Sequence, residues 1–163
     1  MTLVRLVARP MLASMFIVGG INSLKNPVPL SERAKPVTDK LQPLADRATQ
    51  PIPMDVDAAM MVRANGLIHV AAGAMLATGR WPRRSSLVLA ATLVPTTLAG
   101  HRFWEETDPG MRANQRVHFF KNLSMLGGCL LAGVDTEGKP SLAWRARKRA
   151  AKTRKRAGDI APG

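Results

Sequence analysis

The chain has 163 residues, 46% of them hydrophobic, a formal net charge of +13, one cysteine and no tyrosine. That length suits one domain, and a single cysteine excludes both an intrachain disulfide and a CxxC redox pair. An aromatic content of 4% leaves no base-stacking motif, so nucleic acid is not an expected partner despite the charge.

The first apolar run, LVRLVARPMLASMFIVGGINSL, covers residues 3–24. Arg5 and Arg9 ahead of its apolar stretch resemble the start of a signal peptide. No small-x-small cleavage site follows Gly20, however, and the chain continues INSLKNP, so a retained helix is expected. The connector Leu24–Asp57 carries Pro27, Pro29, Pro36, Pro43, Pro51 and Pro53 and is expected to be extended or loosely helical, with a short amphipathic piece around Ala34–Ala48. Its basic residues are balanced by Glu32, Asp39, Asp46, Asp55 and Asp57.

The second run is AAMMVRANGLIHVAAGAMLATG, residues 58–79. After the basic turn GRWPRR comes the third, Ser85–Phe103, then a charged connector, Arg102–Val117, and the fourth run, His118–Val134. Each run is roughly 17–22 residues, enough at 1.5 Å per residue to cross about 30 Å of hydrocarbon. A soluble four-helix bundle would show a polar face along each helix. LVLAATLV and LSMLGGCLLAGV show almost none, so membrane insertion is the expected solution. Arg63 and Lys121 lie near span ends, where snorkelling lowers their cost. Gly19 and Gly20, Gly66 and Gly73, and Gly127 and Gly128 would let backbones approach, and neighbours in a bundle would accommodate Pro10 and Pro95. Cys129, within the fourth run, is expected to act as a small apolar residue.

The expected fold is therefore all-α. Residues 1–138 form a four-helix transmembrane bundle with spans at about 3–24, 58–79, 85–103 and 118–134, and residues 139–163 form a basic cytoplasmic tail. Arg80, Arg83 and Arg84 in a turn without acids, together with the basic tail, place that turn and both termini in the cytoplasm of a multi-pass inner (plasma) membrane protein. Trp81 and Trp104 fall where inner and outer interfacial belts should be, and Trp144 follows the last span at the inner interface. The tail holds Lys139, Arg145, Arg147, Lys148, Arg149, Lys152, Arg154, Lys155 and Arg156. From Arg145 onward these are expected to contact anionic inner-leaflet lipids or an acidic partner, at about 1 kcal/mol per residue near a charged surface.

This topology gathers the polar residues of the spans at the outer level. Arg63, Asn65 and His69 belong to the second run, His101, Arg102, Glu105 and Glu106 to the third, and His118, Lys121 and Asn122 to the fourth, with Asn22 and Lys25 closing the first. Asn65 and His69 share a helix face, as do His118 and Asn122, and His101 would share one with Glu105 if its helix continued that far. The candidate ligand-binding set is Arg63, Asn65, His69, His101, Arg102, Glu105, His118, Lys121 and Asn122. These residues fit an anchor that fixes helix depth or a small-molecule or quinone-like pocket. A three-histidine metal site is chemically allowed, but no HxxH or HxxxH spacing appears and no metal is expected. No catalytic residue is identifiable and no cofactor is expected, with quinone the one left open.

The segment TTLAGHRFWEE, Thr96–Glu106, with FFKNLSMLGGCLLAGVDTEGKPSLAWR, Phe119–Arg145, resembles actinobacterial members of the DoxX family of small membrane proteins. LVARPMLASMFIVGGINSLKNP and RANGLIHVAAGAMLATGRWPR are similar to that family's Gly-rich helices, and AGHRFW and FKN are the specific blocks. The resemblance reaches about Ala150 and implies a four-helix integral membrane protein. It also implies association with thiosulfate–quinone oxidoreduction, or with a complex holding a superoxide dismutase and a thiosulfate sulfurtransferase that serves redox and thiol balance. The chain has no flavin-binding glycine fingerprint and no haem-ligand spacing. The expectation is a non-catalytic membrane subunit of such an oxidative-stress complex. The alternatives are a quinone- or small-lipid-binding oxidoreductase subunit, or a small transporter, using the outer polar set.

Overall fold

The computed structural model describes residues 3–49, 56–136, 138, 144 and 146–152. Five helices follow one another: α1 (Leu3–Lys25), α2 (Pro27–Thr49), α3 (Ala58–Ala77), α4 (Pro82–Gly100) and α5 (Pro109–Val134). Residues 146–152 are also helical, and the described residues contain no strand. The fold is all-helical, and α1, α3 and α5 are each long and apolar enough to cross a membrane. The third expected span falls on α4, which is not among these three and which carries Arg83 and Arg84 in its first turn.

Two boundaries depart from expectation. The fourth run begins nine residues earlier than His118, at Pro109. Asp108 caps this helix by accepting from the Met111 amide at 2.7 Å, and Pro109 follows where a missing N–H costs nothing. The third run ends at Gly100, so His101 and Glu105 do not share a helix face. The connector between α4 and α5 is thereby reduced to residues 101–108.

The larger correction concerns the proline-rich connector, whose residues 27–49 form the continuous helix α2. Pro27 and Pro29 lie in its first turn, where no amide partner is needed. Pro36 and Pro43 are seven residues apart on the exposed side, where water can satisfy the carbonyls they leave free. The opposite face, Pro27, Ser31, Ala34 and Thr38, is buried. It packs on α3 and α4. Gln42 Nε2 donates to the Val56 carbonyl at 2.8 Å and ties α2 to the start of α3. There Asp57 caps α3 through the Met60 amide. On the exposed side of α2, a hydrogen bond and charge from Glu32 raise the Lys35 ammonium above its ordinary value. Pro51 and Pro53 lie outside the described residues.

The helices α1, α3, α4 and α5 alternate in direction. Gly20 of α1 meets Gly66 of α3, Asn65 of α3 meets Thr96 of α4, and Gly133 of α5 meets Leu87 of α4. The core between them is Ala13, Phe16, Ala72, Leu76, Leu89, Ala90, Leu93 and the buried Cys129. Between α1 and α3 glycines bring backbone against backbone. A Cβ on Gly20 would lie 2.7 Å from the Gly66 carbonyl oxygen, and one on Gly73 would lie 2.8 Å from Ile17. Gly128 faces Leu12, whereas Gly19 and Gly127 have open space and do not serve as contacts. Gly133 does serve as one, since a Cβ there would meet Leu87 at 2.7 Å.

At the end where α1 begins and α5 stops, arginines gather on the α5 C-terminus. Arg5 makes a two-pronged bond to Asp135 at 2.7 and 2.9 Å, and the buried Arg9 lies 3.8 Å from the same carboxylate. Arg83 Nε donates to the Gly133 carbonyl at 2.9 Å. This arrangement answers both the acid at the C-cap and the partial negative charge of the helix end.

Candidate functional site

The opposite end of the helices carries the candidate polar residues, and α4 organises them. Thr92, Thr96 and Thr97 each donate their hydroxyl hydrogen to a carbonyl four residues back on α4, at 3.0, 2.8 and 2.7 Å. Each hydroxyl oxygen is then left as an acceptor facing a neighbouring helix. Asn65 Nδ2 donates to Thr96 at 3.0 Å, and Asn122 Nδ2 donates to Thr97 at 3.1 Å. His69 Nε2 lies 3.1 Å from the Thr92 hydroxyl. With its proton on Nε2 the imidazole donates to this oxygen while Thr92 keeps its bond to the Val88 carbonyl, and in the other tautomer Nε2 accepts from the hydroxyl. His69 is buried and also stands edge-on to Phe16, with centroids 5.4 Å apart.

A second group lies at the α4–α5 corner. His101 follows the last residue of α4, and its Nδ1 meets the Gln115 side-chain oxygen at 2.7 Å. That oxygen only accepts, so His101 Nδ1 donates. The His101 and His118 rings stack 5.1 Å apart at 18°, and Lys121 Nζ donates to His118 Nδ1 at 3.0 Å. Arg102 pairs with Glu105 at 3.1 Å within the connector. Phe103, Trp104, Phe119 and Phe120 form an edge-to-face aromatic cluster beside this corner. Trp104 is 49% exposed and Trp81 is 66% exposed, with the Arg84 guanidinium over the Trp81 ring.

The nine candidates therefore divide. Asn65, His69 and Asn122 join helices through α4, His101, His118 and Lys121 form the corner group, Arg102 and Glu105 pair locally, and Arg63 is exposed and apart. The threonines that receive these bonds were not singled out from sequence. A Thr-x-x-x-Thr-Thr pattern inside an apolar helix was the available signal. Among the described residues no cluster of three or more His, Cys, Asp or Glu side chains could hold a metal ion.

A cavity of about 360 Å³ opens between α1, α2, α3 and α4 at this same end. Its walls include Leu30, Val37, Leu41 and Val62, and its polar groups include Asn22, Arg33, Asn65, Thr96 and His101. Asn65 and His101 are the two candidates that line it. Arg33 was missed because its segment was expected to be loose connector rather than a helix laid against α3 and α4.

Of the tail residues, Arg147, Lys148, Arg149 and Lys152 are helical and exposed, and Lys148 sits 4.7 Å over the Trp144 ring. Lys139, Arg145, Arg154, Lys155 and Arg156 lie outside the described residues.

The family model DoxX matches residues 4–102, which takes in α1 to α4 and the first residues after α4. The AGHR portion of the AGHRFW block falls within that match, and the FKN block lies beyond it. No curated protein and no solved structure matches the chain. The matched stretch is more than half of the 163 residues, and with helices fit to cross a membrane the chain belongs to the DoxX family of membrane proteins.

Proposed function

We propose that this chain is a non-catalytic integral membrane subunit of a redox and thiol-homeostasis complex, with α1, α3, α4 and α5 crossing the plasma membrane as a four-helix bundle. The observation that carries the scaffold role is the use made of the polar side chains. His69, Asn65 and Asn122 are each committed to a threonine of α4, so they join helices rather than stand ready to react. These bonds also support the reading of α4 as a fourth span. Its hydroxyls are satisfied within the bundle, and Arg83 reaches the end of α5 instead of the hydrocarbon. The redox setting comes from the family resemblance, with superoxide dismutase-type and sulfurtransferase-type enzymes as the proposed partners.

The proposed orientation puts Arg80, Arg83, Arg84 and the basic tail in the cytoplasm. The exposed Arg147, Lys148, Arg149 and Lys152 would then lie against anionic inner-leaflet lipids or an acidic partner. Purification of the tagged chain from its own membranes in mild detergent, followed by mass spectrometry, tests the proposal. A redox enzyme in stoichiometric amount is the expected result. A redox-active cofactor retained on this chain with no protein partner would overturn it.

A further inference from the structure

We infer that the cavity between α1, α2, α3 and α4 is a binding site for a single-chain lipid anion, its carboxylate or phosphate head held by Arg33 and its first carbons held by the apolar wall. The inference goes beyond the scaffold role. It requires only that the chain sits in a membrane, not that it belongs to a complex.

Charge decides the class of ligand. Arg33 lines the cavity and has no ion-pair partner among the described residues. No aspartate or glutamate lines the cavity. The nearest acid in sequence, Glu32, is held by Lys35 at 2.7 Å. A guanidinium at an apolar cavity without a counter-charge favours an anion that can accept two parallel N–H bonds. The Asn22 amide nitrogen adds a donor, since its oxygen already accepts from Asn26 at 2.9 Å and its nitrogen meets no other described residue. Leu30, Val37, Leu41 and Val62 supply a surface that a free inorganic anion would leave uncovered.

Size and position decide the rest. About 360 Å³ is at the low end for ligand cavities, which suits a head and part of one chain rather than a two-chain lipid. The cavity lies at the end of α1 and the start of α3, two of the membrane-spanning candidates, under a helix with a polar outer face. That is the level at which a lipid anion presents its head.

The test is displacement of the fluorescent fatty acid cis-parinarate from the purified full chain in detergent. Oleate and oleyl phosphate should compete about tenfold better than oleyl alcohol, as loss of one charge-assisted contact implies. The substitution Arg33→Gln should abolish that preference, Arg33→Lys should keep only the part that charge alone supplies, and Val37→Trp should remove binding. Far-UV circular dichroism checks that each variant keeps its helices. Equal competition by oleyl alcohol or decylubiquinone, displacement by inorganic phosphate alone, or an unchanged preference in Arg33→Gln would overturn the inference. Because no partner enzyme enters this assay, its failure would leave the scaffold proposal standing, and failure of that proposal would leave this one standing.

Discussion

His69 Nε2 of α3 is hydrogen-bonded to the hydroxyl of Thr92 on α4 at 3.1 Å, and the same hydroxyl lies 3.0 Å from the Val88 carbonyl oxygen. The histidine is 4% exposed. Removing the hydroxyl therefore strands a buried ring nitrogen. Thr92→Val is expected to destabilise the protein by about 1 kcal/mol, between the ~0.6 average for hydrogen bonds joining membrane helices and the cost of an unsatisfied buried group. A double-mutant cycle with His69→Phe, followed by unfolding in mixed micelles, measures the coupling. A coupling of zero would show that the contact does not join the helices.

The α1–α3 contact gives a sharper contrast. Gly20→Ala and Gly66→Ala each push a Cβ to within 2.9 Å of backbone on the facing helix, and backbone cannot rotate away. Each should cost about 1–3 kcal/mol. Gly19→Ala and Gly127→Ala meet open space and should be neutral or stabilising by up to about 1 kcal/mol through helix propensity. Thermal melts in detergent should separate the two pairs, and similar losses in all four would remove the close approach as their cause.

Asp135→Asn tests the clasp on α5. It removes the carboxylate that meets Arg5 at 2.7 Å and lies beside the buried Arg9. The group is partly exposed, so the expected loss is about 1–3 kcal/mol, below that of a fully buried pair. Faster hydrogen exchange in the last turn of α5 should accompany it. Unchanged exchange there would show that the clasp does not hold this helix end.

The early start of α5 depends on Asp108. Asp108→Ala removes the acceptor of the Met111 amide and should cost about 1 kcal/mol. The amides of residues 111–113 should exchange faster, with little change beyond Val117. If protection there is already negligible in the parent protein, the helix begins nearer His118.

Orientation can be read from single cysteines on a Cys129→Ala background. Thr78→Cys sits in the α3–α4 turn, and Arg112→Cys sits in the first turns of α5. In intact cells an impermeant maleimide should label position 112 and spare position 78. The reverse pattern would invert the proposed topology.

Much of the helical layout was legible because hydrophobic transfer adds along a segment. Leu3–Lys25 and Ala58–Ala77 coincide with the expected runs almost to the residue. The α2 helix was not legible, because prolines read as breakers when their positions on a helix are unknown. Only docking of its Pro27, Ser31, Ala34 and Thr38 face on α3 and α4 puts Pro36 and Pro43 on the side where lost hydrogen bonds cost little. The candidate site was half legible for a related reason. Polar residues stand out in apolar runs, so Asn65, His69 and Asn122 were visible, whereas Thr92, Thr96 and Thr97 are near-neutral in hydropathy and were not.

The sequence by itself determined that the chain is helical, carries membrane-length apolar segments, keeps much of its positive charge in a tail and resembles DoxX proteins. Those properties are sums over neighbouring residues or patterns along the chain. Which polar groups meet, and that a cavity with Arg33 on its wall exists at all, was decided only by tertiary structure. Helix rotation and offset are set by close contacts such as Gly20 on Gly66 and by the docking of α2, and these join residues more than ten positions apart.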